Sequence, residues 1–437
     1  MTRHEPLYLF NKDLSHLKSL KNSYPNLRAL WYDGESDLIL DLFDFFRPSK
    51  LFIEDSLVER LSDVFKNLTQ SDPKVLKSKS NRVLKKYQFC VVPSNDTHAH
   101  LFSKLPPEAS QFFICNWKDE GAGRALNSLK IAHNRLKYTK DFFLKFDSVL
   151  LANDWGHEEL YVTKKFNDNR IPVACIQESV IDFGDKCRRM EWCNYPFIEG
   201  LATTKHLDRE IYFLTGNPRY ESIKIEPPSK ELKALINCNF TYGVQEIFRD
   251  HWITSCVETV KNLEMQYLIS QHPRDPANLE NYHHVKSGAD KIHGMLKESR
   301  VLITRFSSLI HEALSMGRPV IYYNPHGEKM QYDFEPDQMH LITAKDPHEL
   351  NQALLKIQTL DDPREDPFYL NYINRHCGSA DGKASQRMIQ ALQLVAAHPS
   401  ERKTIPIFRL AKLLLRRLQF SFPLKPLKSW RNNAKNM

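Results

Sequence analysis

Two adjacent serines, at the predicted start of a helix, are the residues of this sequence with the clearest chemical potential. Ser307 and Ser308 follow an apolar strand pattern at Val301–Thr304 and precede a helical pattern at Leu309–Met316. Free backbone N–H groups and the helix dipole favour an anion at such a position, commonly a phosphate. Glu312 lies four residues after Ser308 on the same helix face, where a carboxylate can accept hydrogen bonds from ribose hydroxyls. N-capping without a ligand is the alternative role, and it accounts for one serine better than for two.

Other side chains that could bind a phosphorylated ligand follow neighbouring strand patterns. His272 and Arg274 come directly after the run Gln266–Gln271, and both side chains can donate hydrogen bonds to phosphate oxygens. Asn239 and Thr241 follow the preceding strand pattern and could line the same cleft. An ordinary polar surface turn is the alternative for each of these loops.

Three acids are candidates for a general base that removes a proton from an acceptor hydroxyl. Glu178 follows the strand pattern Val173–Gln177, and Asp119 and Glu120 stand beside two glycines after Gln111–Asn116. A carboxylate at the end of a strand can project into a cleft and accept such a proton. The alternative for each acid is a solvated position in a flexible loop.

The elements that must position these residues alternate between strand and helix, which predicts an α/β fold with parallel sheets. Two series of strand patterns predict two Rossmann-like domains that face a cleft, one spanning residues 1–210 and the other residues 211–398. The first series is Leu7–Phe10, Arg28–Tyr32, Lys50–Glu54, Gln88–Pro93, Gln111–Asn116, Ser148–Ala152 and Val173–Gln177. The second is Ala234–Asn237, Gln266–Gln271, Val301–Thr304, Val320–Tyr323 and a weaker Leu341–Thr343.

Composition and the absence of certain motifs exclude several classes of protein. The 437 residues contain no apolar run long enough to span a membrane and no secretion signal at the start. The eight cysteines are scattered without a CxxC pair, which indicates reduced thiols in a cytoplasmic protein. The chain has no P-loop motif and no convincing metal-ligand cluster, so we expect no metal and no cofactor other than a donor substrate.

The positive charge is concentrated at the end of the chain. Residues 402–437 contain ten Lys or Arg and no acid, so the net charge of +8 becomes 8 − 10 = −2 for the remainder. A near-neutral body argues against a nucleic-acid-binding face. Basic and apolar residues alternate at helical spacing within Ile405–Gln419. Residues 399–437 are therefore predicted to form a basic amphipathic helix on an anionic membrane surface. A helix packed across the two domains is the alternative.

Together these residues resemble the GT-B class of glycosyltransferases. The stretch ITRFSSLIHEALSMGRPVIYY is similar to the donor-binding signature of that class. His272-Pro273 with Ser307-Ser308 resembles the HP and SS motifs of bacterial sialyl- and Kdo-transferases, in which these motifs hold the phosphate and ribose of a CMP-linked donor. Asp119-Glu120-Gly121 resembles the motif that supplies the catalytic base in the sialyltransferases.

A second resemblance points to a different donor. The loop IQESVIDF and the turn TGNPRYE resemble segments of the CDP-glycerol transferases, although Glu178 stands where that family has histidine. Glu178 therefore competes with Asp119 and Glu120 for the role of base.

The resemblances imply a metal-independent glycosyltransferase of surface polysaccharide biosynthesis: capsule, O-antigen or lipooligosaccharide. It would act at the inner face of the cell membrane and move an acidic sugar, such as Kdo or sialic acid, from a CMP donor to a lipid-linked glycan. The alternatives are a transferase of glycerol or ribitol phosphate from a CDP donor and a non-catalytic scaffold that binds glycans.

Overall fold

A computed structural model describes most of the chain. The described residues are 5–35, 42, 46–65, 73–78, 87–105, 112–115, 120–137, 139–180, 190–240, 245–273, 275–288, 291–329, 332–378, 381–398, 403 and 405. The predicted membrane-binding tail, apart from Lys403 and Ile405, lies outside this part of the chain.

Within the described residues, eleven parallel strands form the first sheet, in the order β4-β3-β1-β2-β11-β10-β9-β8-β5-β6-β7. The strands are β1 Leu7–Phe10, β2 Arg28–Trp31, β3 Leu51–Glu54, β4 Lys74–Leu76, β5 Phe89–Val92, β6 Phe112–Cys115, β7 His133–Arg135, β8 Ser148–Leu151, β9 Val173–Ile176, β10 Tyr195–Ile198 and β11 Ile211–Leu214.

Six further parallel strands form the second sheet in the described part of the chain, in the order β14-β13-β12-β15-β16-β17. They are β12 Lys233–Cys238, β13 Gln266–Gln271, β14 His284–Lys286, β15 Val301–Thr304, β16 Val320–Tyr323 and β17 Leu341–Ala344.

Helices connect the parallel strands and cover both faces of each sheet. They are α1 Ser15–Ser23, α2 Val58–Phe65, α3 Asp96–Phe102, α4 Glu120–Ser128, α5 Lys140–Phe143, α6 His157–Asp168, α7 Arg249–Asn262, α8 Ile292–Lys297, α9 Leu309–Ser315, α10 Pro347–Gln358, α11 Pro367–Cys377 and α12 Ala384–Ala396. Among the described residues, no helix is both long enough and apolar enough to cross a lipid bilayer.

Burial explains why the central strands were recognisable in the sequence. Strands β1, β3, β5, β8 and β9 are buried at every position, and two apolar clusters fill the two faces of the first sheet. Two more clusters fill the faces of the second sheet. Strands covered on both sides read as continuous apolar runs. The predicted α/β fold with two parallel sheets is confirmed.

The last described helix returns to the first sheet. The apolar face of α12, including Met388 and Leu392, packs into the core of that sheet. Strand β11 also belongs there, because it pairs with β2 and β10. The division at residue 210 stays a proposal, and these contacts assign Ile211–Leu214 and α12 to the packing of the first domain.

Candidate functional site

Parallel strands bring their following loops to one edge of each sheet. In the first sheet β9, β8 and β5 are neighbours, so Glu178 after β9 and the residues after β5 lie at the same edge. In the second sheet β13, β12 and β15 are neighbours, which aligns His272, Asn239 and the turn at Ser307. The predicted candidates therefore fall on two walls, one for each sheet.

On the first wall, the carboxylate of Glu178 lies against a buried histidine. Its Oε1 is 3.1 Å from Nε2 of His98, whose side chain is 1 % exposed. The helix that carries His98, α3, is capped by Asn95, whose side chain accepts from the His98 backbone N–H at 2.8 Å. On the other side of the ring, Oγ of Ser94 is 2.8 Å from Nδ1. The imidazole is thus held in one orientation and faces the carboxylate.

A buried amide and carboxylate network fixes the connection between the two sheets. Asn217 donates from Nδ2 to Oε1 of Glu199 at 2.6 Å and to the carbonyl of Gln177 at 3.1 Å. Gln177 donates from Nε2 to the other oxygen of Glu199 at 3.2 Å. Gly378, with φ of +69°, packs so closely here that a Cβ would lie 2.5 Å from the Glu199 carbonyl oxygen. The chain after β11 is therefore tightly positioned.

Arg219 follows this connection and pairs with the carboxylate of Glu312. The Asn217 side chain accepts from the backbone N–H of Arg219 at 3.0 Å, and Arg219 Nη1 is 3.4 Å from Oε1 of Glu312. Burial alone would lower the pKa of Arg219, but Glu312 and Glu178, among other neighbours, outweigh it and raise that pKa. One guanidinium thus interacts electrostatically with both walls.

Glu312 lies between two basic groups. Its Oε2 is 2.7 Å from Nε2 of His293, and its other oxygen faces Arg219. Burial alone would raise the pKa of Glu312, yet His293 and Arg219 outweigh it and hold that pKa below the ordinary value. Each carboxylate oxygen of Glu312 therefore faces a basic side chain. The contact between Glu312 and a ribose stays a prediction.

The two serines differ in their surroundings. Oγ of Ser307 accepts from the Leu309 backbone N–H at 3.2 Å, a local bond within the turn that requires no ligand. Ser308 occupies the N-cap position of α9 and makes no side-chain cap bond. Nearby, His272 is half-buried, and its backbone N–H donates to the Cys238 carbonyl at 3.1 Å.

Asn239 is held by its backbone. Its carbonyl accepts from Nη1 of Arg305 at 2.7 Å, and this buried arginine also forms an ion pair with Glu328. Arg305 lies over the ring of Phe240 at 4.8 Å from the ring centroid. These contacts fix the loop after β12 next to the loop after β15.

Several predicted residues lie outside the described part of the chain: Asp119, Thr241 and Arg274. Glu120 begins α4, and its side chain is likewise not described. Glu178 is consequently the one candidate base whose contacts the described residues include. In that part of the chain, no group of three or more His, Cys, Asp or Glu side chains could hold a metal ion.

No sequence motif indicates His98, His293 or Glu199. His98 sits in the polar segment NDTHAH, which matches no catalytic motif, and its partner is 80 positions away. His293 and Glu199 likewise meet their partners only through folding. Glu199 directly follows β10, whereas His98 and His293 lie in the first turns of α3 and α8, where no local pattern marks them.

Comparisons with known proteins agree with this architecture. Residues 257–394 match the model of the family described as CDP-glycerol:poly(glycerophosphate) glycerophosphotransferase. No curated protein matches the chain.

Among solved structures, a Listeria monocytogenes protein assigned as a UDP-N-acetylglucosamine 2-epimerase aligns with a TM-score of 0.51 and 13 % identity, over 73 % of this chain and 98 % of that one. The UDP-GlcNAc 2-epimerase of Methanocaldococcus jannaschii aligns with a TM-score of 0.50 and 12 % identity, over 70 % and 99 % of the two chains. At such identities the likeness establishes the fold alone. The protein is therefore a two-sheet protein of the GT-B type, in which the family match covers the second sheet from α7 onward and continues into α12.

Proposed function

We propose that the protein transfers a polyol phosphate, such as glycerol phosphate, from a CDP-linked donor to an acceptor hydroxyl. The observation that carries this proposal is the family match over residues 257–394, a span that contains His272, Ser307, Ser308 and Glu312. This function is the alternative that the resemblance to CDP-glycerol transferases implies, and an acidic sugar from a CMP donor is the first choice. The comparisons give no support to that first choice.

The donor would bind at the second sheet. His272, Ser308 and Arg219 can each donate hydrogen bonds to phosphate oxygens, and a guanidinium can stabilise charge that develops on a leaving phosphate. Glu312 would hold Arg219 and His293 toward the donor through the contacts described above. Asn239 would line the nucleotide side of the same edge.

The acceptor would bind at the first sheet, beside Glu178. As the acceptor oxygen attacks the β-phosphorus of the donor, its proton moves to the Glu178 carboxylate. The bond from that phosphorus to the bridging oxygen breaks, and CMP leaves with the electron pair. The product is a phosphodiester, and the base is regenerated when Glu178 releases the proton to solvent.

A donor panel tests this function. The wild-type protein is titrated with CDP-glycerol, CDP-ribitol, a CMP-linked acidic sugar and UDP-GlcNAc by calorimetry, and each donor is then incubated with glycerol as a model acceptor. We expect binding of CDP-glycerol or CDP-ribitol, release of CMP and a phosphodiester signal in the ³¹P spectrum. Transfer from the CMP-linked sugar alone would overturn the proposal, and binding of none of the four would favour a non-catalytic scaffold.

A further inference from the structure

We propose that His98 is the positioning residue of the catalytic carboxylate. In this arrangement the Nε2–H of His98 holds Oε1 of Glu178, so that Oε2 takes the proton of the acceptor hydroxyl. The inference rests on the proposed function, and it adds a residue that neither the motifs nor the family match contains, since His98 lies outside residues 257–394.

The tautomer of His98 follows from its neighbours. The backbone N–H of Ser94 points to Nδ1 at 3.4 Å, and the Ser94 hydroxyl lies 2.8 Å from the same nitrogen. A backbone N–H can only donate, so this contact favours an Nδ1 without a proton. The Ser94 hydroxyl also hydrogen-bonds to Glu159, which leaves its oxygen able to accept from a protonated Nδ1 in the imidazolium. In a neutral imidazole the proton then resides on Nε2, which faces Oε1 of Glu178 at 3.1 Å.

The opposite tautomer is disfavoured at both nitrogens. Nδ2 of Asn95 lies 3.2 Å from Nε2 and could donate to a bare nitrogen. That state would set the Nε2 lone pair against the Glu178 carboxylate and an Nδ1 proton against the Ser94 N–H. Both arrangements are repulsive, so Nε2 carries a proton toward Oε1, either in the neutral Nε2–H tautomer or in the imidazolium.

Because the His98 side chain is buried, its contact can hold the Glu178 carboxylate in one orientation. The His98 side chain is 1 % exposed and fixed by the cap of α3, whereas the Glu178 side chain is 21 % exposed. A rigid donor under a partly exposed carboxylate restricts its rotation, which holds a base in its reactive geometry. The family resemblance places a histidine at the position of Glu178. This chain therefore combines an acid there with an imidazole from helix α3.

The charges around the pair set the expected pH effect. Glu159 on α6 and Arg219 at the hinge interact with His98 and Glu178, respectively. Hydrogen bonding to a carboxylate stabilises its charged form and lowers its pKa. Removing the imidazole should raise the pKa of Glu178, and the acid limb of the kcat/KM profile should move to higher pH.

The test compares two variants, His98→Leu and His98→Gln. The matched control is His100→Leu, because His100 is exposed and lies on the same helix. With CDP-glycerol as donor, we expect His98→Leu to lower kcat by about 10- to 100-fold, to shift the acid limb upward, and to leave CMP affinity within about twofold of wild type. His98→Gln, which retains an N–H donor, should recover part of the lost rate. His100→Leu should resemble wild type.

Equal kcat and equal pH profiles for wild type and His98→Leu would overturn the inference while leaving the proposed function intact. A wild-type protein that binds and turns over none of the CDP donors would instead remove the proposed function. In that case ¹⁵N NMR of the histidine-labelled protein tests the contact between His98 and Glu178 by reporting which ring nitrogen of His98 carries the proton. The inference predicts an Nε2–H tautomer whose proton signal moves upfield in Glu178→Ala, and an Nδ1–H tautomer would contradict it.

Discussion

His376 illustrates how a single buried residue links stability to pH. It packs in the interior of the second domain, where the Tyr332 hydroxyl lies 3.0 Å from Nδ1 and the Glu335 carboxylate lies 3.4 Å from Nε2. Burial lowers the pKa of His376 to about 4, and it outweighs the opposing effect of Glu335. The folded state therefore favours the neutral imidazole.

This shift predicts a loss of stability in mild acid. Between the unfolded pKa of about 6.5 and the folded value of about 4, the unfolded chain binds more protons, so stability falls as pH decreases. The wild type should lose about 2 kcal/mol more than His376→Asn between pH 7 and about pH 5 in urea unfolding. His348→Gln, at an exposed position, serves as control. Identical pH dependence in wild type and His376→Asn would contradict the assignment.

At the residue scale, the sequence could indicate strand-end residues but not their partners. Glu178, His272 and Ser307 were recognisable because each follows an apolar run. His98 was not, because its role depends on β5 and β9 lying near each other across β8, and no local pattern encodes that order. The Glu312 carboxylate shows the same limit, since its contacts with Arg219 and His293 join residues 93 and 19 positions apart.

At the scale of elements, the buried central strands were predicted and the exposed or irregular ones were not. Strands β4, β7 and β14 have three residues each and are mostly exposed, so they lack an apolar run. Strand β10 contains Pro196, and proline in a strand interior argues against a central strand. Strand β11 is buried along its length and lies between β2 and β10, a position that depends on the order of the whole sheet.

Helix α12 is attached to the first domain by a buried arginine as well as by its apolar face. Arg387 binds both carboxylate oxygens of Asp381, at 2.7 and 3.1 Å, and donates to the Thr215 carbonyl at 2.8 Å. Its guanidinium also lies 3.6 Å from the buried carboxylate of Asp33. Arg387 thus ties the last helix to the connection between the sheets.

Replacing Arg387 should be costly because it leaves buried partners unpaired. We expect Arg387→Met to lower the free energy of unfolding by about 3–5 kcal/mol, measured by urea denaturation. Arg364→Met removes an exposed arginine that pairs with Asp362 and should cost about 1 kcal/mol or less. Equal effects of the two substitutions would show that the buried network does not hold α12.

At the scale of the whole molecule, the proposed division of labour assigns the donor to the second domain and the acceptor to the first. Arg219 interacts electrostatically with carboxylates from both domains.

Two residues at the start of the predicted tail contact the rest of the molecule. Lys403 donates to the carbonyls of Glu191 and Cys193, and Ile405 packs against Leu160. Lys403 and Ile405 therefore lie against the body of the protein, and the boundary at residue 398 stays a proposal.

The tail prediction can be tested with a truncation that respects these contacts. Residues 406–437 contain eight Lys or Arg and no acid, and each basic residue near an anionic surface contributes about 1 kcal/mol. Deleting 406–437 should abolish flotation with vesicles that contain phosphatidylglycerol and leave the unfolding midpoint unchanged. Vesicles of phosphatidylcholine alone provide the control. Undiminished flotation of the truncated protein would assign membrane binding to the body.

The most direct test of the account is calorimetric titration of CMP into wild type, His272→Ala and Glu178→Gln, combined with turnover of CDP-glycerol. We predict that His272→Ala weakens CMP binding by about 10-fold or more, because a hydrogen bond to phosphate is lost. Glu178→Gln should bind CMP within about twofold of wild type and lose about 100-fold or more in kcat. The exposed Glu365→Gln should change neither quantity. Unchanged CMP affinity in His272→Ala, or wild-type turnover in Glu178→Gln, would contradict the account.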